Sequence, residues 1–191
     1  MATVEGTTER REDEERRPEA PLPFGRVIGI DPGLHVTGYA VLDPSRSGPF
    51  INEAGVIRPR GPAAVSLGSR LEAIHKGVLE VIDAFPPVAL AIEQVHSHPG
   101  HPRTAILMAH ARGVIMLAAS LRKVPVFGYA ATRIKKTLTG SGRAPKEQMQ
   151  HAIRVELGLD VLPEPHDVAD ACAIALCHYQ HARNAQILGG L

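Results

Sequence analysis

Four acidic residues carry the chemistry legible in this chain. They are Asp31 in Val-Ile-Gly-Ile-Asp-Pro-Gly, Glu93 in Ala-Leu-Ala-Ile-Glu-Gln-Val, and Asp167 with Asp170 in His-Asp-Val-Ala-Asp-Ala. The first two end apolar runs that read as buried strands, and the last two lie three residues apart where a helix begins. A carboxylate at the end of a buried strand needs a cation. If the fold brings these ends together, mutual repulsion raises their pKa values and destabilises the site unless divalent metal ions are held there. Such a group suits metal-dependent phosphoryl transfer, with a nucleic acid as the natural substrate.

Each position also has a plainer reading. Asp-Pro-Gly is an ordinary turn, in which the Asp side chain bonds nearby backbone amides. Glu93 fits a strand that meets solvent. Asp167 fits a helix cap, with Asp170 in the first turn complementing the helix dipole. For this last pair the two roles are compatible, because a spacing of three places both carboxylates on one helix face.

The elements that must position these groups follow from periodicity. Arg26 to Ile30, Thr37 to Leu42 and Phe50 to Ile57 read as three strands with short connections, which favours an antiparallel meander. Leu67, Leu71, Ile74, Val78, Ile82 and Phe85 recur at three and four residues, so residues 66–85 form an amphipathic helix ended by Pro86-Pro87. Val88 to Gln94 is a strand without polar alternation, as expected for one covered on both faces. A helix over 104–123, a strand at Val126 to Ala130, and helices near 131–138, 145–157 and 168–182 complete the chain. The order argues for an α/β fold, a mixed sheet with helices on both faces.

Composition sets the bounds. With 191 residues, 44% of them apolar, the chain has the size of one globular domain. No run approaches the roughly 20 uninterrupted apolar residues of a membrane span, and the N-terminus lacks a secretory pattern. Cys172 and Cys177 fall in one predicted helix, five residues apart and turned by about 140°, so they are expected to stay reduced, as in a cytoplasmic protein. Residues 1–24 carry seven acids and four arginines and almost no bulky apolar side chains, a composition expected to be disordered. Without that segment the net charge of +1 becomes +4, which fits a partner that is a polyanion. The expected organisation is a charged tail at 1–24, one folded domain at 25–183 and a short C-terminal tail at 184–191.

The run Ile28-Gly29-Ile30-Asp31-Pro32-Gly33, with Val36-Thr37-Gly38-Tyr39 after it, resembles the opening of the RuvC family of Holliday junction resolvases. Ala91-Ile92-Glu93-Gln94-Val95, Ala111-Arg112-Gly113-Val114, Tyr129-Ala130-Ala131, Gln150-His151 and Asp167-Val168-Ala169-Asp170-Ala171 are similar to later family segments in the same order. The similarity covers roughly residues 26–183. It is the occurrence of all four acids together, within this pattern, that favours the chemical reading over the plain one.

The resemblance implies a ribonuclease H-like fold with a five-stranded sheet, three strands antiparallel and two parallel. It also implies a homodimer that makes paired nicks across a four-way DNA junction, leaving 5′-phosphate and 3′-hydroxyl ends. Two Mg2+ ions per subunit, or Mn2+, are implied at Asp31, Glu93, Asp167 and Asp170. One would lower the pKa of a water and the other would stabilise the departing 3′ oxygen, about 3.5 to 4 Å apart. Asp31, on the central strand, is the expected bridging ligand. Lys135 and Lys146 match the family lysines that face the DNA, where an ammonium neutralises a phosphate or the charge building on phosphorus. Either also fits a solvated surface role. His96, Arg103, Lys136 and Arg143 are the further expected DNA contacts, and the RuvA and RuvB branch-migration complex is the implied partner.

Two positions depart from the pattern. His96 stands where the family often has a phenylalanine that wedges against bases, and an imidazole stacks less extensively. His35 stands where members often carry Arg. His96, His98 and His101 also raise the possibility of zinc, but Pro99 and Pro102 exclude a regular helix through them and no cysteine is nearby.

The predicted helix at 104–123 is apolar nearly all round and is therefore expected to be buried. Its small residues Ala105, Ala109, Ala111 and Gly113 would also admit a symmetry mate. Two other functions fit parts of the chain. One is a ribonuclease H-like protein that binds junctions or processes RNA. The other is a fragment of an actin-like ATPase, whose first phosphate motif has a similar Gly-Ile-Asp-Pro-Gly opening but whose fold needs a second such half.

Overall fold

A computed structural model describes residues 25–95 and 102–189. The expected tail at 1–24 and the loop carrying His96 lie outside the described residues.

The sheet contains β1 (Val27–Asp31), β2 (Thr37–Ser45), β3 (Gly48–Ile57), β4 (Ala89–Glu93) and β5 (Val126–Tyr129), in the spatial order β3-β2-β1-β4-β5. β1, β2 and β3 pair antiparallel, and β4 and β5 add in parallel on the other side of β1. The mixed sheet is the one expected from the sequence. β1 and β4 are buried along their apolar length because helices cover both faces.

On one face lie α1 (Leu67–Ala84) and α2 (Pro102–Leu121). Ser66 and Ser69 form a capping box at the start of α1, each side chain bonded to the other residue's backbone amide at 3.1 Å. The helix buries Ile74, Val78, Val81 and Ile82 against Ile28, Ile30, Leu90 and Ile92 of the sheet. On the other face lie α3 (Ala131–Thr139), α4 (Lys146–Leu157) and α5 (His166–Gly189). Gly140 and Gly158 end α3 and α4 in the left-handed region, with φ of 79° and 61°, as C-caps commonly require.

Three expectations are corrected. β2 and β3 run further into their hairpin than the hydrophobic pattern indicated, and a short 3-10 turn at Gly61–Ala64, with Pro62, went unforeseen. α5 begins at His166 and continues to Gly189, so residues 184–189 extend a helix and do not form a separate tail. α2 is only half-covered. It buries Ala111, Ile115, Ala118 and Ala119, whereas Ile106, Leu117 and Leu121 are more than half exposed. Length and composition alone would let α2 cross a membrane. One of its faces nevertheless packs on α1, as in a helix of a folded domain.

Cys172 and Cys177 are free and buried in α5. Burial pushes the Cys172 thiol up to about 12, so it behaves as a core side chain.

Candidate active site

Strand register brings the first two carboxylates together. The parallel pairing of β1 with β4 runs from Val27 beside Ala89 to Ile30 beside Ile92, which sets Asp31 level with Glu93 at the carboxyl ends of adjacent strands. Adjacent strands lie about 4.8 Å apart, and residues level with each other project to the same face. Ile30 and Ile92 face α1 and α2. Asp31 and Glu93, one residue further on, therefore face α5. The loop leaving Asp31 is braced by the Thr37 hydroxyl, which donates to the Gly33 carbonyl at 2.7 Å.

Two glycines then let α5 reach the sheet. A Cβ on Gly29 would come within 2.6 Å of the Ala175 amide nitrogen, and one on Gly38 would collide with the Asp167 carbonyl. Gly38 is the β2 partner of Asp31. The first turn of α5 is consequently seated beside Asp31, and it carries Asp167 and Asp170. Gly38→Ala is expected to lift this turn, costing about 3 kcal/mol of stability. The check is urea unfolding; an unchanged midpoint would contradict this seating.

The electrostatics record the proximity. The Asp31 carboxyl is pushed up to about 7, first by desolvation and then by the neighbouring charges of Asp170, Glu93 and Asp167. Asp170 is also raised, mainly by burial, with Lys146, His166 and Lys135 pulling the other way. A cavity of about 290 Å³ is lined by Glu93, Asp170, Lys135, Lys146, Gln150 and His166, among others. Asp31 and Asp167 lie outside that lining but couple to the acids within it.

The donor set fits a hard divalent cation. It comprises four carboxylates with no sulfur among them, and a cation would offset both the desolvation and the neighbouring charges that push the Asp31 carboxyl up. Among the described residues no three His, Cys, Asp or Glu side chains already converge on one point.

Of the residues expected from sequence, the structure thus brings together Asp31, Glu93, Asp167, Asp170, Lys135 and Lys146. Lys136, Arg143 and Arg103 are exposed and lie outside the cavity lining. His166 and Gln150 line the cavity and were given no role by sequence reasoning. The position of His166, at the start of α5 and next to Asp167, was the signal available for it.

Comparison with known proteins agrees with this geometry. The family model for crossover junction endodeoxyribonuclease RuvC matches residues 27–178. A crossover junction endodeoxyribonuclease RuvC of Rhodopirellula baltica is 52% identical over 160 residues, covering 83% of this chain and 88% of the relative. One of Thermomicrobium roseum is 36% identical over 165 residues, covering 85% and 97%. Thermus thermophilus RuvC, solved alone and in complex with Holliday junction substrate, superimposes with a TM-score of 0.77 at 33% identity, over 84% of this chain and 96% of that one. The matched span includes the Gly-Ile-Asp-Pro-Gly opening, which is therefore a resolvase-type segment and not the phosphate motif of an actin-like ATPase. With its sheet order, its acid-bearing strand ends and a family match over residues 27–178, this chain belongs to the RuvC family of crossover junction endodeoxyribonucleases.

Proposed function

We propose that this chain resolves four-way DNA junctions, cutting two strands of like polarity by metal-dependent hydrolysis at Asp31, Glu93, Asp167 and Asp170. The observation that carries the reading is the coupling of Asp31 to three carboxylates from two other elements, beside a cavity that also holds Lys135 and Lys146. Divalent cations, two per subunit and Mg2+ or Mn2+, supply an activated water and neutralise the departing 3′ oxygen when bound. Asp31, central in the sheet, would hold them, together with Glu93, Asp167 and Asp170. Glu93 and Asp170 flank it from β4 and α5.

The lysines act on the DNA itself. Lys135 and Lys146 oppose the rise in the Asp170 pKa and line the same cavity, and an ammonium there could meet a phosphate oxygen. Lys136 and Arg143, exposed on α3 and the loop after it, and Arg103, exposed at the start of α2, supply non-specific phosphate contacts that salt would screen.

The paired cut requires two copies. The outer face of α2 presents Ile106, Met116, Leu117 and Leu121, and a Cβ at Gly113 would meet nothing within 4 Å. This apolar, glycine-relieved face suits an isologous two-fold contact. Partnership with the RuvA and RuvB complex belongs to the same proposal.

The test uses labelled synthetic substrates: a four-way junction, a duplex and an RNA hairpin, with Mg2+, with Mn2+ and with chelator. Paired nicks confined to the junction, and only with metal, are expected. Preferential cutting of the RNA, or metal-independent cutting, would contradict the proposal.

A further inference from the structure

We propose that Arg112 of α2 is a positioning residue that fixes the strand end presenting Glu93; this rests on the reading of Glu93 as a cation ligand. The Arg112 Nε donates to the Glu93 backbone carbonyl at 3.3 Å. The rest of the guanidinium lies over β5, where a Cβ on Gly128 would sit 3.2 Å from Nη2 and 3.3 Å from the Gln94 side chain. Gln94 secures the same corner, its amide donating to the Tyr129 carbonyl at 2.8 Å and its side-chain Nε2 to the Gly128 carbonyl at 3.2 Å.

The need for such a brace follows from topology. Glu93 is the last residue of β4, and beyond it the chain leaves the sheet for α2. A ligand at a strand end keeps its orientation only if the backbone beneath it is held, and partners one layer out from a metal site commonly tune affinity by 10- to 100-fold. Arg112 holds that backbone through the carbonyl. Gly128 leaves the space in which the guanidinium lies. Arg112 also belongs to the helix whose outer face is offered to a second copy, so a shift of α2 on dimerisation would be felt at Glu93.

The test compares Arg112→Met, Gly128→Ala and Glu93→Gln with the unaltered full-length protein, reading thermal midpoint against Mn2+ concentration and, separately, junction cutting. Gly128→Ala removes no charge and no hydrogen-bonding group; its methyl would crowd both the Arg112 guanidinium and the Gln94 side chain, so Arg112→Met, which leaves Gln94 untouched, assigns the effect to Arg112. Both Arg112→Met and Gly128→Ala are expected to raise the Mn2+ concentration for half-maximal stabilisation by about tenfold. The Mn2+ requirement for cutting should move with it. Glu93→Gln separates the two claims. If it leaves the Mn2+ titration unchanged, the reading of Glu93 fails. If it abolishes the response while Gly128→Ala and Arg112→Met titrate like the parent, or only lower the metal-free midpoint, the role given to Arg112 is overturned. Should Arg112→Met not fold, Arg112→Lys, which keeps the charge but lacks the Nε donor, takes its place.

Discussion

Asp31→Asn is expected to lose junction cleavage by about a thousandfold or more while binding the junction with nearly unchanged affinity. Loss of the proposed ligand would remove several kcal/mol of metal-derived stabilisation of the transition state, and each 1.4 kcal/mol is about tenfold in rate. The same substitution should make the metal-free protein more stable above neutrality. The Asp31 carboxyl titrates near 3.8 in an unfolded chain and at about 7 in the native one. Between those values the native state binds the extra proton, so the group favours folding at low pH and that contribution is lost as pH rises through 7. At pH 8 the native protein carries a desolvated charge among three others, and Asn does not. The expected gain is about 1–3 kcal/mol, seen as a higher thermal midpoint in chelator at pH 8 that converges with the parent near pH 4. Added Mn2+ should stabilise the parent and leave the variant unmoved. A variant that cuts normally, or one no more stable at pH 8, would contradict the assignment.

Leu117→Glu has the second largest expected effect. Leu117 is 52% exposed on the outer face of α2, so the change should leave the isolated fold within about 0.5 kcal/mol of the parent. Buried in a two-fold contact, the same carboxylate would face its own copy without a partner, at a cost of several kcal/mol. Light scattering at micromolar concentration is expected to give a dimer for the parent and a monomer for Leu117→Glu, with paired junction cutting reduced by about a hundredfold or more. A dimeric Leu117→Glu protein, or a monomer that still makes paired cuts, would remove α2 from the interface.

Much of this architecture was legible because local pattern and global fold agree. The unbroken apolar runs before Asp31 and Glu93 marked strands covered on both faces, and the spacing from Leu67 to Phe85 marked α1. The acids themselves were legible by type and motif, but their meeting depends on features invisible to periodicity. The register of β1 on β4 levels Asp31 with Glu93, and Gly38 admits the first turn of α5. Read alone, Gly38 is merely a weak strand residue. α2 misled for a related reason. A helix apolar all round reads as buried, whereas here Ile106, Leu117 and Leu121 stay more than half exposed. Arg112 was noted only as part of a motif, since its bond to the Glu93 carbonyl links residues 19 apart. His166 carried no pattern at all beyond its place next to Asp167.

The central claim is that strand ends and a helix start, distant in sequence, form one anionic pocket that takes divalent cations. Anomalous scattering from crystals soaked in Mn2+ tests it most directly. Density is expected within about 2.2 Å of Asp31 carboxylate oxygens, with Glu93 and Asp170 completing the shell. Manganese bound elsewhere on the protein, with Asp31 and Glu93 making no contact to it, would contradict the account.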